Sequence, residues 1–523
     1  MSPDTASRAQ WRRSDFTRLE LAGFAGLAFL LCFAVRVSTL NQNFWEQELV
    51  AAATIELDWL SLFRDRFAAG EPPLYYALLK ALQLAGASEL SLRLPSAVLD
   101  SLACGLLTLV ARRVSGRVGG VALALTFAFM PVLIRFGQEA RPYPLLCFFF
   151  ALSLVAATTI WRAPRQAVRA FGAPRAGPNH AMLRTAIVVL GVAMVGAGWT
   201  MVIGWLAVFA LQASILVSPP LWRVRGFLRL WLVLCGLTWL AIAPCILGVA
   251  PNIAHFTAIL WTPDPYSTTL ASIAADLRSI YGWSADGDLN RYFPGGWEVS
   301  LAYGLFALAI VSVIRRNERP PIRQVAFVAA AFPVVLFGAD AFRSLVALRH
   351  IHPSLWCLCL LYADGAAVVA RRWPGWPVLA VLTLGVVLQG VDGAEAERKA
   401  SWEPFLQFFL SNDLETMKGY VTEPALAVLI ERSLPSGSPL RIEVDEEPSA
   451  LRTAVARALS ADAPIWVLTS RPLHNVLADL PRGVASCAGT VSYHAFIVVA
   501  RTFDLLPPEI RDCATAGPTN TGG

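Results

Sequence analysis

The stretch NQNFWEQELVAAATIELDWLSLFRDRFAAGEPPLYYALLKALQLAGASELSLRLPS, residues 41–96, decides the fold of this chain. It lies between two long apolar runs, in a sequence of which only 15% of residues are charged. Acids are tolerated in water between membrane spans, which favours a solvated connector. The aromatic residues of the stretch suit a membrane interface and favour a loop that folds back over a cavity at lipid level. Its carboxylates are Glu46, Glu48, Glu56, Asp58, Asp65, Glu71 and Glu89.

The composition excludes an ordinary soluble protein. The chain has 523 residues, 56% of them hydrophobic, and a mean hydropathy of +0.54, which indicates an α-helical polytopic membrane protein. The net charge of +6 comes from arginines that recur in alternate loops, so topology explains it and no nucleic-acid partner is predicted. The first apolar run, Leu21 to Val37, is long for a signal peptide and predicts an uncleaved first helix.

Apolar runs of about 17 to 22 residues predict about eleven transmembrane helices. Arginines follow every even-numbered span, which places the N-terminal segment, residues 1–18, in the cytoplasm. The acidic loops, residues 41–93 and 251–297, then face outward, as does Glu139. The predicted spans begin near Leu19, Leu94, Val118, Tyr143, Leu183, Thr200, Phe227, Val299, Ile322, Pro353 and Trp376.

Residues 19–392 form the predicted membrane domain, and a small soluble α/β domain is predicted for residues 393–513. Strands are expected at 440–444, 465–468 and 495–499, and helices at 405–409, 424–432 and 450–459. Residues 514–523 are rich in Gly, Thr and Pro, which predicts a disordered tail. Cys487 and Cys513 form either one disulfide, if this domain faces an oxidising compartment, or two separate thiols.

Four motifs in order resemble those of the GT-C glycosyltransferases, in the branch that includes protein O-mannosyltransferases and the aminoarabinose transferases of lipid A. The resemblance implies the GT-C fold. It covers roughly the first third of the chain. The matching residues are Trp45 with Gln47-Glu48, then Glu71-Pro72-Pro73-Leu74-Tyr75-Tyr76, Arg93-Leu94-Pro95-Ser96 and Gln138-Glu139-Ala140-Arg141-Pro142-Tyr143.

Two positions depart from the family pattern. Gln47 stands where the family has its catalytic Asp, and Glu71 replaces a His. Later in the chain, Arg349 and Pro353 fit the family's Arg-Tyr with a nearby Pro, while His350 replaces the Tyr. Gln47 has no proton-accepting carboxylate, so a base must come from another residue.

The resemblance implies transfer of a sugar from a polyprenyl-phosphate donor to an acceptor hydroxyl, with inversion. This chemistry needs a carboxylate base and cations for the leaving phosphate. Glu48 or Glu46 is the predicted base; the two would not share a helix face, and Glu48 is the member aligned with the motif. The acceptor is a lipid, a glycan or a protein. The predicted substrate-binding residues are Glu71, Tyr75, Glu139, Arg141, Tyr143 and Arg349.

No cofactor is assigned, although a divalent cation beside the carboxylates stays open. His350 and His352 lie two apart, which points them to different faces of a helix and disfavours a metal site from this pair. The alternative for each acid is a solvated carboxylate. For Arg141 and Arg349 it is a side chain that reaches toward lipid headgroups.

Three functions compete at this stage: an active transferase, a GT-C-like accessory protein that has lost catalysis and binds a polyprenyl-linked glycan, and a transporter. The transporter ranks last because the acids sit mainly in loops rather than within spans. The resemblance fits a bacterial inner membrane, with the C-terminal domain on the periplasmic side.

Overall fold

The computed structural model divides the chain into two compact units, which we name by their contents. The helical unit is Met1–Asn41 with Leu57–Glu397, and the strand unit is Gln42–Glu56 with Arg398–Gly523. The structure describes residues 18–38, 40, 46–82, 89–172, 178–252, 297–316, 320–340, 348–371, 375–396, 418–421, 441–444, 465–469, 485–491 and 494–500.

Helices form almost all of the described part of the helical unit. Two 3-10 turns, Ser214–Val217 and Leu348–Ile351, join longer helices. The helices are α1 (Arg18–Val37), α3 (Trp59–Ala68), α4 (Leu74–Leu82), α5 (Glu89–Phe129), α6 (Pro131–Gln138), α7 (Tyr143–Arg162), α8 (Pro164–Gly172), α9 (Pro178–Thr200), α10 (Val202–Ala213), α11 (Pro219–Trp222), α12 (Phe227–Val249), α13 (Trp297–Arg316), α14 (Pro320–Asp340), α15 (His352–Val369) and α16 (Gly375–Ala396). Helix α2 (Glu46–Thr54) belongs to the strand unit.

Six helices within the described residues are long and apolar enough to cross a membrane, so the chain is an integral membrane protein. The two spans predicted from Leu94 and Val118 lie in one assigned helix, α5, and Gly116 separates them. Gly116 has φ 89° and ψ −165°, a conformation that glycine adopts without a Cβ clash. The count of eleven spans stays a prediction.

Helix α5 is the centre of the helical unit, because α1, α7 and α15 all pack against it. Close helix approach depends on small residues at the contacts. A Cβ at Gly365 of α15 would lie 1.9 Å from the carbonyl oxygen of Leu308 in α13. The seven cysteines within the described helices are free thiols, and six of them are buried.

The strand unit contains a five-stranded sheet with the order β2-β1-β3-β5-β4. The strands are β1 (Lys418–Val421), β2 (Arg441–Val444), β3 (Ile465–Thr469), β4 (Ala485–Val491) and β5 (His494–Ala500). Strand β1 pairs in parallel with β2 and β3, whereas β5 is antiparallel to β3 and β4. The three predicted strands are therefore strands, at nearly the predicted bounds.

One tight contact in the sheet explains a glycine in β1. A Cβ at Gly419 would lie 2.0 Å from the ring of Trp466 on the neighbouring strand, and Trp466 is fully buried. The predicted helices of this domain, Cys513 and the tail at 514–523 lie outside the described residues, as does the Cys487 side chain. The disulfide therefore stays a prediction.

Candidate active site

The segment Gln138 to Tyr143 connects α6 to α7 and presents its charged residues between the two helices. Pro131 starts α6, since a proline is favoured in the first turn of a helix, where its missing N–H is not needed. At Glu139 the backbone becomes extended, with φ −78° and ψ 141°, and the amide of Arg141 donates to the carbonyl of Glu139 at 2.8 Å. The helix therefore ends at the motif, and a turn carries Arg141 back toward Glu139.

Glu139 is fully buried and lies between two arginines. Its Oε1 is 3.6 Å from Nε of Arg135, and its Oε2 is 3.7 Å from Nη1 of Arg141. Both separations exceed the usual length of an N–H···O hydrogen bond, so these are ion pairs without close hydrogen bonds. The carboxylate thus balances charge here without being held tightly by either guanidinium.

Arg141 is a largely buried cation, with 11% of its side chain exposed. Its guanidinium carbon lies 5.1 Å from the ring centroid of Tyr143, a cation–π distance. Nη1 of Arg141 and the hydroxyl of Tyr143 are buried and have no hydrogen-bond partner within the described part of the chain. This segment therefore holds two buried polar atoms that make no hydrogen bond within the described residues.

The charges around Arg141 stabilise its protonated form. Burial on its own lowers the pKa of Arg141, but Tyr143, Glu139, Tyr76 and Glu71 together outweigh burial, and the net pKa is raised. The site therefore carries a permanent cation. Tyr76 and Glu71 come from the first loop, so this loop contributes to the electrostatics at Arg141.

Glu71 belongs to a network within this loop. Its Oε2 accepts hydrogen bonds from Nη1 of Arg66 at 3.1 Å and from the hydroxyl of Tyr76 at 2.5 Å. Arg66 also pairs with Asp65 at 2.6 Å and lies 4.8 Å from the ring centroid of Tyr76. Burial is the main cause that raises the pKa of Tyr76, and the Glu71 carboxylate raises it further. Tyr76 therefore stays protonated and keeps donating.

Two of the sequence motifs contact each other in the structure. The hydroxyls of Tyr75 and Ser96 are 2.9 Å apart, and both residues are fully buried. Arg93, from the same motif as Ser96, donates to the carbonyl oxygen of Leu40 at 2.9 Å. Tyr75 thus fastens α4 to the start of α5, which is a structural contact beside the role predicted for it.

His352 lies against the same segment at the start of α15. Its ring centroid is 5.2 Å from that of Tyr143 and 4.7 Å from that of Phe136. Arg349 lies just before it, in the 3-10 turn Leu348–Ile351, but the Arg349 side chain is outside the described residues. No group of three or more His, Cys, Asp or Glu that could hold a metal occurs within the described ranges.

The two candidate bases lie in the first turn of α2, in the strand unit. Glu48 is fully buried, whereas the side chains of Glu46 and Gln47 are outside the described residues. The alternative offered for Glu48 in the sequence analysis was a solvated loop carboxylate. The burial of Glu48 disagrees with that alternative. The outer loop predicted at 251–297 also lies almost entirely outside the described residues.

Sequence reasoning missed four participants in this arrangement: Arg66, Tyr76, Arg135 and His352. The signal for Arg135 was present, because it stands four residues before Glu139 on a helix and such pairs are neighbours. Arg66 and Tyr76 each stand five residues from Glu71, on separate helices. His352 and Tyr143 are separated by more than half of the helical unit's sequence, so no local sequence pattern indicates their contact.

Comparisons with solved structures identify the fold. ArnT from Cupriavidus metallidurans in the apo state superposes with a TM-score of 0.55 and 15% identity, covering 93% of this chain and 98% of that one. The structure of the same protein bound to undecaprenyl phosphate superposes with a TM-score of 0.54 and 14% identity, covering 92% of this chain and 98% of that one. The Archaeoglobus fulgidus oligosaccharyltransferase in complex with Zn and sulfate superposes with a TM-score of 0.52 and 14% identity, covering 85% of this chain and 67% of that one.

These neighbours are membrane glycosyltransferases of the GT-C superfamily, so the chain has the GT-C fold that the motifs predicted. No protein-family model matches the sequence, and no curated protein matches it. At this level of identity the likeness concerns the fold, and the chemistry must be argued from the residues.

Proposed function

We propose that this integral membrane protein is a glycosyltransferase that moves a sugar from a polyprenyl-phosphate donor to an acceptor hydroxyl, with inversion at the anomeric carbon. The acceptor is a lipid, a glycan or a protein. The GT-C fold supports this proposal, and so does the structure of ArnT bound to undecaprenyl phosphate, a protein with the same fold. We place the protein in a bacterial inner membrane, with its N-terminus in the cytoplasm and its C-terminal domain on the periplasmic side.

The observation that carries the proposal is the state of Arg141. A buried guanidinium group is costly unless its donors are filled. Here the contact with Glu139 is 3.7 Å long, and Nη1 makes no hydrogen bond within the described residues. An incoming phosphate offers two acceptor oxygens that a planar guanidinium group can bind with two parallel N–H···O hydrogen bonds. The buried hydroxyl of Tyr143, in the same segment, also makes no hydrogen bond within the described residues and is a neutral donor.

The proposed reaction has a simple balance of bonds. The acceptor oxygen bonds to the anomeric carbon from the face opposite the phosphate, and the bond from that carbon to the phosphate oxygen breaks. Glu48 takes the acceptor's proton, and the leaving phosphate keeps the electron pair and is stabilised by Arg141. Glu48 is assigned from its place in the motif and from its carboxylate, since Gln47 has no basic oxygen.

A transfer assay tests the proposal. Labelled sugars on a panel of polyprenyl phosphates are offered to wild-type protein with total membrane acceptors, and to Glu48→Gln, Arg141→Ala and the matched control Arg117→Ala. We expect transfer from one donor by the wild type and by Arg117→Ala, because the Arg117 side chain is 71% exposed and far from the motif in sequence. We expect Glu48→Gln to be at least about 100-fold slower.

The substitution Gln47→Asp separates an active enzyme from an accessory protein. If Glu48 is the working base, Gln47→Asp gives no large gain, and Glu48→Gln removes transfer. A large gain from Gln47→Asp on an inactive wild type would overturn the proposal, because it would show that the ancestral base has been lost. Binding of the lipid without transfer from any donor would also favour the accessory role.

A further inference from the structure

An ion pair between α1 and α5 lies fully inside the helical unit. Nε of Arg36 is 2.9 Å from Oδ2 of Asp100, and the exposed fractions of the two side chains are 0% and 5%. The proposed reaction uses neither residue. Charged residues within membrane spans cost free energy and usually have a functional role. We therefore expect this pair to have a role.

Arg36 does more than neutralise Asp100. Its Nη1 donates to the carbonyl oxygen of Ala128 at 2.7 Å, and its Nη2 donates to that of Phe127 at 3.2 Å. These carbonyls belong to the last turn of α5, where helical partners run out, and a cation there also complements the helix dipole. Arg36 therefore caps the end of α5 two residues before α6 begins.

Helix α6 is fastened to the same arginine. The side-chain amide of Gln138 donates to the backbone carbonyl of Arg36 at 3.0 Å. Gly137 packs so closely on the pair that a Cβ there would lie 2.6 Å from both Nε of Arg36 and Oδ2 of Asp100. Since hydrogen bonds hold Arg36 in place, it cannot move aside cheaply, so only glycine permits this approach.

We propose that Arg36 and Asp100 are positioning residues that fix the end of α6 and thereby set the placement of Glu139 and Arg141. This inference rests on the proposed function, in which Arg141 binds the donor phosphate. Gly137 and Gln138 contact the ion pair, and Glu139 and Arg141 follow within four residues of Gly137. A displacement at Gly137 therefore passes to Arg141 through only four residues, which include the turn closed by the Arg141 amide and the Glu139 carbonyl, and changes donor binding.

A purely structural role predicts a different result. Buried ion pairs are weak contributors to stability compared with apolar residues of similar volume, and loss of stability alone lowers the folded fraction. The KM of the molecules that remain folded would then be unchanged. A positioning role instead changes the donor KM of folded protein, because the phosphate-binding cation has moved.

The test compares Gly137→Ala with Gly236→Ala, a matched control in α12 where an added Cβ would meet nothing within 4 Å. Folded protein is isolated by size-exclusion chromatography. Donor KM is then measured by transfer, and the Kd of undecaprenyl phosphate is measured without transfer. We expect Gly137→Ala to raise both constants at least tenfold with kcat changed less than threefold, and Gly236→Ala to leave them within twofold.

Gln138→Met provides a milder second variant if Gly137→Ala does not fold. It removes the hydrogen bond to Arg36 and keeps the side-chain length, and we expect a threefold or greater rise in the lipid Kd. Unchanged constants in folded variants, with a wild type that binds and transfers, would overturn the positioning role alone. A wild type that binds the lipid without transfer would overturn the proposed function alone, whereas absence of both activities would overturn both.

Discussion

Two buried arginines of the helical unit differ in how completely the protein fills their donors. Arg36 is bound by the Asp100 carboxylate at 2.9 Å and by two backbone carbonyls. Arg141 approaches Glu139 only to 3.7 Å, and its Nη1 has no hydrogen-bond partner within the described residues. Each of the three guanidinium nitrogens of Arg36 therefore donates a hydrogen bond, whereas Nη1 of Arg141 donates none within the described residues.

This difference separates a structural charge from a charge available to a ligand. Both residues bear the same guanidinium group and both are buried, so burial alone does not indicate function. The number of filled donors and the lengths of the contacts do. On this view Arg36 stabilises the place where α1, α5 and α6 meet, and we propose that Nη1 of Arg141 gains a partner when a phosphate binds.

The largest change in stability is expected from breaking the ion pair of Arg36 with Asp100. Asp100→Leu leaves Arg36 as an uncompensated buried charge, which costs about 3–5 kcal/mol of unfolding free energy. The double variant Arg36→Met with Asp100→Leu should recover part of that loss. Denaturation in detergent micelles measures the unfolding free energies of the single and the double variant. A double variant less stable than Asp100→Leu would contradict the claim that Asp100 compensates the charge of Arg36.

Arg141→Ala should show the opposite pattern. Arg141→Ala should destabilise the protein less than Asp100→Leu, because the Arg141 contact with Glu139 is 3.7 Å long and Arg135 still faces that carboxylate at 3.6 Å. Loss of charged hydrogen bonds to phosphate should weaken transfer from low donor concentrations by about 10- to 100-fold. Steady-state kinetics together with denaturation measure the two effects, and Arg141→Lys should retain part of the activity because it keeps the charge without the planar fork.

A smaller effect is expected in the Glu71 network. Tyr76→Phe removes the 2.5 Å hydrogen bond to Glu71 and should cost about 1–2 kcal/mol of unfolding free energy. A double-mutant cycle with Glu71→Gln should give a coupling energy of about 1 kcal/mol, since both changes act on one contact. Strict additivity would show that Tyr76 does not hold Glu71 in solution.

The smallest effect is expected at the exposed pair of Arg117 with Glu20. The contact is 3.0 Å long, but the Arg117 side chain is 71% exposed, and solvent screens such pairs. Arg117→Ala should therefore change stability by less than about 0.5 kcal/mol. Arg112, whose side chain is fully buried, donates to the same Glu20 oxygen at 2.7 Å, so Arg112→Ala should be clearly more destabilising.

Much of the fold could be predicted because its signals are local. Long apolar runs marked helices, and short apolar runs marked three strands close to their observed bounds. The ordered motifs from Trp45 to Tyr143 indicated the GT-C fold. The sequence did not identify Gly116 as the position where α5 departs from helical geometry. A glycine in an apolar run is equally typical of close helix packing and of an interruption in the helix.

The arrangement of the site was only partly accessible from sequence. Arg141 and Tyr143 could be paired because they are two residues apart and belong to one motif. Arg36 was visible as a charge at the end of the first apolar run, but Asp100 stands 64 residues later, and no periodicity connects them. Long-range pairs of this kind are set by helix packing, which the local pattern does not specify.

Equilibrium binding of undecaprenyl phosphate to wild-type protein and to Arg141→Ala, both in lipid nanodiscs, tests the central claim most directly. The wild type should bind with saturation, and folded Arg141→Ala should bind at least tenfold more weakly. Equal Kd values for the two proteins, or absence of saturable binding by the wild type, would contradict the claim that Arg141 is the phosphate-binding cation.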